Sequence, residues 1–152
     1  MPARAIREST GAAGPCLAIP PSTSHDELRL TLMDAGRQVR ATVDDLDRFP
    51  AARDNLARFC FAELLPHLEG DESWLLEARQ CPELRLIADV IRTGARAMTA
   101  AVYELVAATG PCEAVAATRV LHAFLAAHAH YEQLLHNRSV DVGVDQSRLM
   151  SQ

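Results

Sequence analysis

Two histidines in this chain each have a carboxylate four residues further on. The pairs are His67 with Asp71 and His128 with Glu132. In a helix this spacing places both side chains on one face, one turn apart, so that an imidazole nitrogen and a carboxylate oxygen can reach the same cation. The two pairs are therefore candidate metal-binding elements.

The helical phase of these residues directs them towards a protein core. At about 100° per residue, His128 and Glu132 fall on the apolar stripe of the leucines that precede them. His67 and Asp71 continue the apolar stripe of their own segment, and His25 begins another. Buried imidazoles and carboxylates need partners, and one cation would serve all of them. Three histidines and two carboxylates from three helices predict a site for iron, manganese or zinc.

The apolar periodicity predicts four helices that position these residues. Ser24 is a good N-cap for the first helix, and Pro50 and Pro82 can open the second and third. Pro66 lies inside the second helix and is expected to kink it or loosen a turn. The predicted spans are 24–49, 50–73, 82–109 and 113–136.

Four helices with short connections predict an all-α, up-down-up-down four-helix bundle. We expect the bundle over residues 24–137, between a flexible N-terminal arm at 1–23 and a loose C-terminal tail at 138–152, because both ends are rich in small and polar residues. The remaining histidines of the helical region, His122, His130 and His136, are out of phase with the inward stripes or near a helix end, and we expect them on the surface.

Composition narrows the class of function. The 152-residue chain is 49% hydrophobic but only 5% aromatic, which disfavours a β-sandwich or a β-barrel. Its net charge of −5 disfavours a nucleic-acid partner, and no apolar run is long enough for a membrane span. The four cysteines stand far apart and no secretory leader is recognisable, so we expect free thiols in a reducing cytoplasm.

Three segments resemble the hemerythrin-like, or HHE cation-binding, domain family. They are residues 25–29, residues 63–72 with the string Glu-Leu-Leu-Pro-His, and residues 125–132. The family's pattern is a histidine early in helix one, His-x-x-x-Glu on helix two, a histidine on helix three, and His-x-x-x-Glu/Asp on helix four. The resemblance covers about residues 24–137 and implies a hemerythrin-like bundle.

The resemblance also implies a non-haem di-iron centre. On that basis His25, His67 and His128 are expected to be nitrogen ligands, and Asp71 and Glu132 are expected to be bridging carboxylates. Zinc and manganese remain alternatives on ligand type alone.

The chain departs from the family's pattern on helix three, which has no histidine. Ala88 stands at the expected position, with Asp89 beside it as a less favoured candidate ligand. Asp71 replaces the usual Glu, and Glu72 next to it is a further candidate. The missing nitrogen leaves three alternatives: an open coordination position, a mononuclear site or a lost site. An open position would suit O2, another small ligand or a substrate.

The expected function is metal binding that serves O2 or small-ligand binding, redox sensing or O2-dependent chemistry. If the protein is an enzyme, we expect a non-haem iron, O2-dependent oxidoreductase. A metal-free helical bundle that acts as a protein-interaction module is the main alternative. Thiol redox chemistry through Cys60 and Cys81 is a third. The oligomeric state is left open between a monomer and a homodimer.

Overall fold

The structure is a computed structural model that describes residues 25–149, with side chains up to residue 142. The predicted arm at 1–23, the predicted N-cap Ser24 and the last three residues of the predicted tail lie outside the described residues. Within residues 25–149 the fold is all-α, as the sequence predicted: helices and short turns follow one another and no strand is formed.

Five α-helices and three shorter helical segments make up the described chain. The α-helices are α1 (His25–Ala41), α2 (Phe49–Phe59), α3 (Leu65–Ala78), α4 (Pro82–Ala107) and α5 (Pro111–Leu149). Two 3-10 turns, Thr42–Asp44 and Leu46–Arg48, link α1 to α2, and a π-helical segment, Cys60–Leu64, joins α2 to α3. Because no residue interrupts α2, the π-helical segment and α3, they form one long helix.

The first helix ends earlier than predicted. It stops at Ala41 instead of near Phe49. The chain tightens into the 3-10 turn Thr42–Asp44, and Asp45 then has a φ of −144° and a ψ of 81°, outside the helical region, so α-helical bonding does not continue. Apolar spacing predicted a longer helix because it does not indicate such a local change of backbone conformation.

The last helix is longer than predicted. It continues to Leu149 instead of ending near His136, so residues 138–149 are helical. Ser139 is buried four residues after the buried Leu135, and its hydroxyl donates a hydrogen bond of 2.7 Å to the His136 carbonyl. A small polar residue that bonds its own helix can lie on the inward stripe. The polar composition of this segment therefore gave no indication that the helix continues.

The π-helical segment accommodates a proline inside the long helix. The backbone N–H of Leu65 donates to the carbonyl of Cys60, five residues back, so this turn is wider than an α-turn. The next residue is Pro66, which lacks an N–H and whose ring crowds the carbonyl four residues before it. The wider turn lets the helix pass Pro66 without a break.

The core consists of two apolar clusters on either side of a polar layer. The larger cluster includes Leu68 of α3 and Leu125 of α5. The smaller one includes Leu75 of α3 and Leu135 of α5. Along both helices, the predicted site residues lie between these leucines or next to them, so the fold places the candidate site between its two hydrophobic clusters.

Helix α5 packs against both α1 and α4, and α4 packs against α3. The contacts of α1 with α5 run in opposite chain order, because His25 meets Glu132 whereas Gly36 lies close to Thr118. The two helices are therefore antiparallel. They approach each other closely at Gly36, where a side chain is absent.

We predict that Gly36→Ala destabilises the protein by about 1–2 kcal/mol. A Cβ at this position would lie 2.7 Å from Thr118 Cγ2 and 3.2 Å from His122 Nε2, so these side chains would have to shift or the two helices would have to separate. Urea unfolding measures the loss. The control is Gly70→Ala, where a Cβ meets nothing within 4 Å. The higher helix propensity of alanine should raise the free energy of unfolding of this variant by about 0.5–1 kcal/mol. Equal effects of the two substitutions would contradict the close packing.

Candidate metal centre

The structure brings together the five residues that the sequence singled out as the main ligand candidates. His25 is the first residue of α1, His67 and Asp71 lie on α3, and His128 and Glu132 lie on α5. His67 is half-buried and the other four are buried. Each His-x-x-x-acid pair spans one helical turn, so both pairs present their polar groups at the same level of the core.

The imidazole nitrogens converge on one carboxylate. His25 Nε2 lies 2.9 Å from Glu132 Oε2, and His128 Nε2 lies 3.0 Å from Glu132 Oε1. His67 Nε2 is 3.1 Å from His25 Nε2. One ligand atom from each of these four residues lies within 4.8 Å of every other. Two ligands about 2.1 Å from one ion and at right angles are roughly 3 Å apart, so the separations match the edges of a single coordination shell.

Asp71 is held at the edge of this group by two kinds of contact. Its Oδ2 lies 3.3 Å from His128 Nε2 and 3.5 Å from His67 Nε2. Its Oδ1 accepts a hydrogen bond of 3.1 Å from the indole Nε1 of Trp74. Trp74 thus orients the carboxylate and leaves Oδ2 facing the imidazoles. Trp74 was not predicted as part of the site, although a spacing of three residues places it on the same helical face as Asp71.

Burial and close charges act against each other on the pKa values of the site. Burial lowers the pKa of His128, but the carboxylates of Asp71 and Glu132 have the larger, opposite effect and raise the pKa to about 9. Burial raises the pKa of Glu132, but contacts with His128 and His25 lower it more, so its pKa lies well below the usual range. The pKa of His67 is lowered, mainly by burial, although Asp71 opposes the shift. A proton on His128 therefore balances the charge of Glu132 when no metal is bound.

Hydrogen bonds alone do not satisfy the buried polar atoms of the site. Both carboxylate oxygens of Glu132 are inaccessible to solvent and make no hydrogen bond of good geometry within the described part of the chain, although each lies close to an imidazole nitrogen. Buried polar groups are normally hydrogen-bonded, so such an exception needs a physical reason. A cation between the nitrogens and the carboxylate would provide one. The residues present therefore fit a bound metal ion.

The two less favoured candidate ligands, Glu72 and Asp89, are not brought to the histidines. Glu72 accepts a hydrogen bond of 3.0 Å from Arg92 Nε, and this contact lowers the pKa of Glu72. Asp89 Oδ1 lies 2.6 Å from Arg79 Nε. Each carboxylate thus forms an ion pair with an arginine across the packed region of α3 and α4.

Helix α4 presents an apolar surface where the resemblance implies a histidine. Ala88 is fully buried in the smaller apolar cluster, together with Ile91. A cavity of about 310 Å³ between α4 and α5 is lined by Ile91, Phe124 and His128, among mainly apolar groups. On the α4 side, the site is therefore bordered by apolar groups and by a cavity large enough for a small molecule.

Comparison with known proteins gives no relative: no protein-family model matches this sequence, and neither a curated protein nor a solved structure matches the chain. Within residues 25–149, no helix combines the length and the apolar character needed to cross a membrane.

We predict that the metal-free protein loses stability as the pH rises from 6.5 to 9. The pKa of His128 is about 9 in the folded protein and 6.5 in the unfolded chain. The bound proton therefore stabilises the fold fully below pH 6.5, and this stabilisation is lost as the pH rises through 9. The free energy of unfolding should fall by on the order of 2–3 kcal/mol over this range. The lowered pKa of His67 acts only below pH 6.5 and does not contribute here.

Urea unfolding of chelator-treated protein at several pH values measures this dependence. The control is His128→Gln, which removes the titrating group and should flatten the profile between pH 6.5 and 9. A native profile as flat as that of the variant would show that His128 does not hold the proton.

Proposed function

We propose that this protein binds one non-haem metal ion, with His25, His67, His128 and Glu132 as its ligands. The observation that carries the proposal is the convergence of these four ligand atoms within 4.8 Å of one another on residues that are buried or half-buried. Four polar groups taken from three helices into a core are costly unless a common partner neutralises them.

Iron is the metal that we favour, and manganese or zinc are the alternatives. Imidazole and carboxylate ligands suit all three ions, and no thiolate is part of the described ligand group. The ligand set contains the two histidines and one carboxylate that non-haem iron sites use, with one histidine more. Asp71 is oriented by Trp74 and is available as a further ligand or as an acceptor beside the metal.

We also infer a hemerythrin-like, up-down-up-down four-helix bundle as the frame of this site. The antiparallel contacts of α1 with α5 support it, as do the packing of α4 against α3 and α5 and the continuity of α2 with α3. The family's dinuclear centre needs a nitrogen ligand from helix three. Because α4 has buried Ala88 at that place, we favour one ion over the di-iron centre that the resemblance implies.

The proposed role of the site is binding of O2 or another small ligand, in redox sensing or in O2-dependent oxidation. Iron with a free coordination position supplies the affinity for such ligands. The chain itself supplies charge balance through Glu132 and a mainly apolar cavity that includes His128. We propose a reducing cytoplasm as the location, where Cys60 and Cys112 would remain thiols.

Trp74 offers a direct measurement of metal binding. It is the single tryptophan of the chain and hydrogen-bonds Asp71, so an ion at the site should change its fluorescence. We predict that ferrous iron, added without oxygen, changes the emission with an end point of one ion per chain. His128→Ala and Glu132→Gln should each weaken binding at least about 100-fold.

His130→Ala is the matched control, because His130 is exposed on α5 two residues from His128 and lies outside the ligand group. It should bind iron like the native protein. Circular dichroism checks that each variant is folded, and Glu132→Gln preserves the size of the side chain if His128→Ala proves unstable. An end point of two ions would favour the di-iron centre. No binding by the native chain would overturn the proposal and favour a metal-free interaction module.

A further inference from the structure

A second cavity lies on the surface between α1 and α5, apart from the histidine cluster. Its volume is about 320 Å³, within the range of sites for small molecules. It is bordered by the second half of α1 and the first half of α5, whereas the candidate metal centre lies at the start of α1. The residues that give it its chemistry are Met33, Arg37, Arg40, Val115, Arg119 and His122.

The charge of this groove is opposite to that of the whole chain. Three arginines line it and none of its lining residues is acidic, although the protein carries a net charge of −5. Arg37 is paired with Asp34 at 3.1 Å, on the same helix. Arg40 and Arg119 have no ion pair among residues 25–142. Two guanidinium groups on facing helices are therefore available to an anion.

The inner wall of the groove is formed by the close approach of α1 and α5. Gly36 has no side chain, so Thr118 Cγ2 and His122 Nε2 come within 2.7 Å and 3.2 Å of where its Cβ would be. Burial lowers the pKa of His122, and the nearby Leu32 carbonyl opposes this shift. His122 is half-buried, on the flank where α1 and α5 meet. The close contact of the two helices therefore forms the inner wall of the groove.

Apolar groups form another part of the lining. Met33 and Val115 contribute the side chains of α1 and α5 that carry no polar hydrogen-bonding group. A ligand that fits would therefore combine an anionic group with an apolar body. Guanidinium groups bind phosphate through paired, charge-assisted hydrogen bonds.

We infer that the groove between α1 and α5 binds a small organic phosphate monoester. Arg40 and Arg119 bind the phosphate from opposite helices, and the organic part lies against Met33 and Val115. This site does not depend on the metal, since none of its lining residues belongs to the ligand group.

Isothermal titration calorimetry with phenyl phosphate tests the inference on the full chain. The protein is treated with a chelator first, so that phosphate cannot bind through a metal ion. Phenyl phosphate should bind at one site and more tightly than inorganic phosphate, because only phenyl phosphate reaches the apolar wall. The double variant Arg40→Gln/Arg119→Gln should weaken binding at least about tenfold.

The control is Arg58→Gln/Arg138→Gln, which removes two exposed arginines on α2 and α5. It changes the net charge by the same amount as Arg40→Gln/Arg119→Gln. This variant should bind phenyl phosphate like the native chain. Equal loss in both double variants would reduce the effect to net charge and overturn the site. Sedimentation with phosphatidylcholine vesicles containing phosphatidic acid separates a lipid source of the phosphate from a free one. Binding to these vesicles without binding of phenyl phosphate would also overturn the inference.

Discussion

The burial of a carboxylate among imidazoles constrains where three helices can lie. Glu132 is only 4% exposed, and an ionised carboxylate at that depth needs positive charge or strong donors on several sides. Its own helix supplies His128, and α1 supplies His25. One face of one helix cannot surround a carboxylate, so α1, α3 and α5 must meet at the same level. The remaining packing is arranged around that meeting point.

Apolar packing on both sides holds this polar layer in place. Leu68 and Leu125 lie in one cluster, Leu75 and Leu135 in the other, and the site residues are enclosed between them. The same seam between α1 and α5 has a different character further along, where Gly36 brings the helices together beneath exposed arginines. Two antiparallel helices thus bury an acid–imidazole cluster at one end and expose a basic groove at the other.

The all-α class could be predicted because helices leave a regular apolar pattern in the sequence. The errors lie where a side chain changes the backbone locally. Helical bonding stops where Asp45 leaves the helical region, whereas buried Ser139 bonds the backbone of its own helix and α5 continues. For Pro66 the sequence left a kink and a loosened turn open, and the structure has the looser, π-helical turn. Hydroxyl groups and prolines have several local solutions, and apolar spacing does not distinguish between them.

Spacing by itself determined the all-α class and the inward direction of the His-x-x-x-acid pairs, because both follow from the rotation of about 100° per residue. Only the tertiary structure decided which groups meet. Asp71 reaches the histidines and is oriented by Trp74, whereas the adjacent Glu72 turns to Arg92. The physical reason is that periodicity gives the direction of a side chain from its own helix axis. The partner that it meets is set by the register and distance of the neighbouring helices.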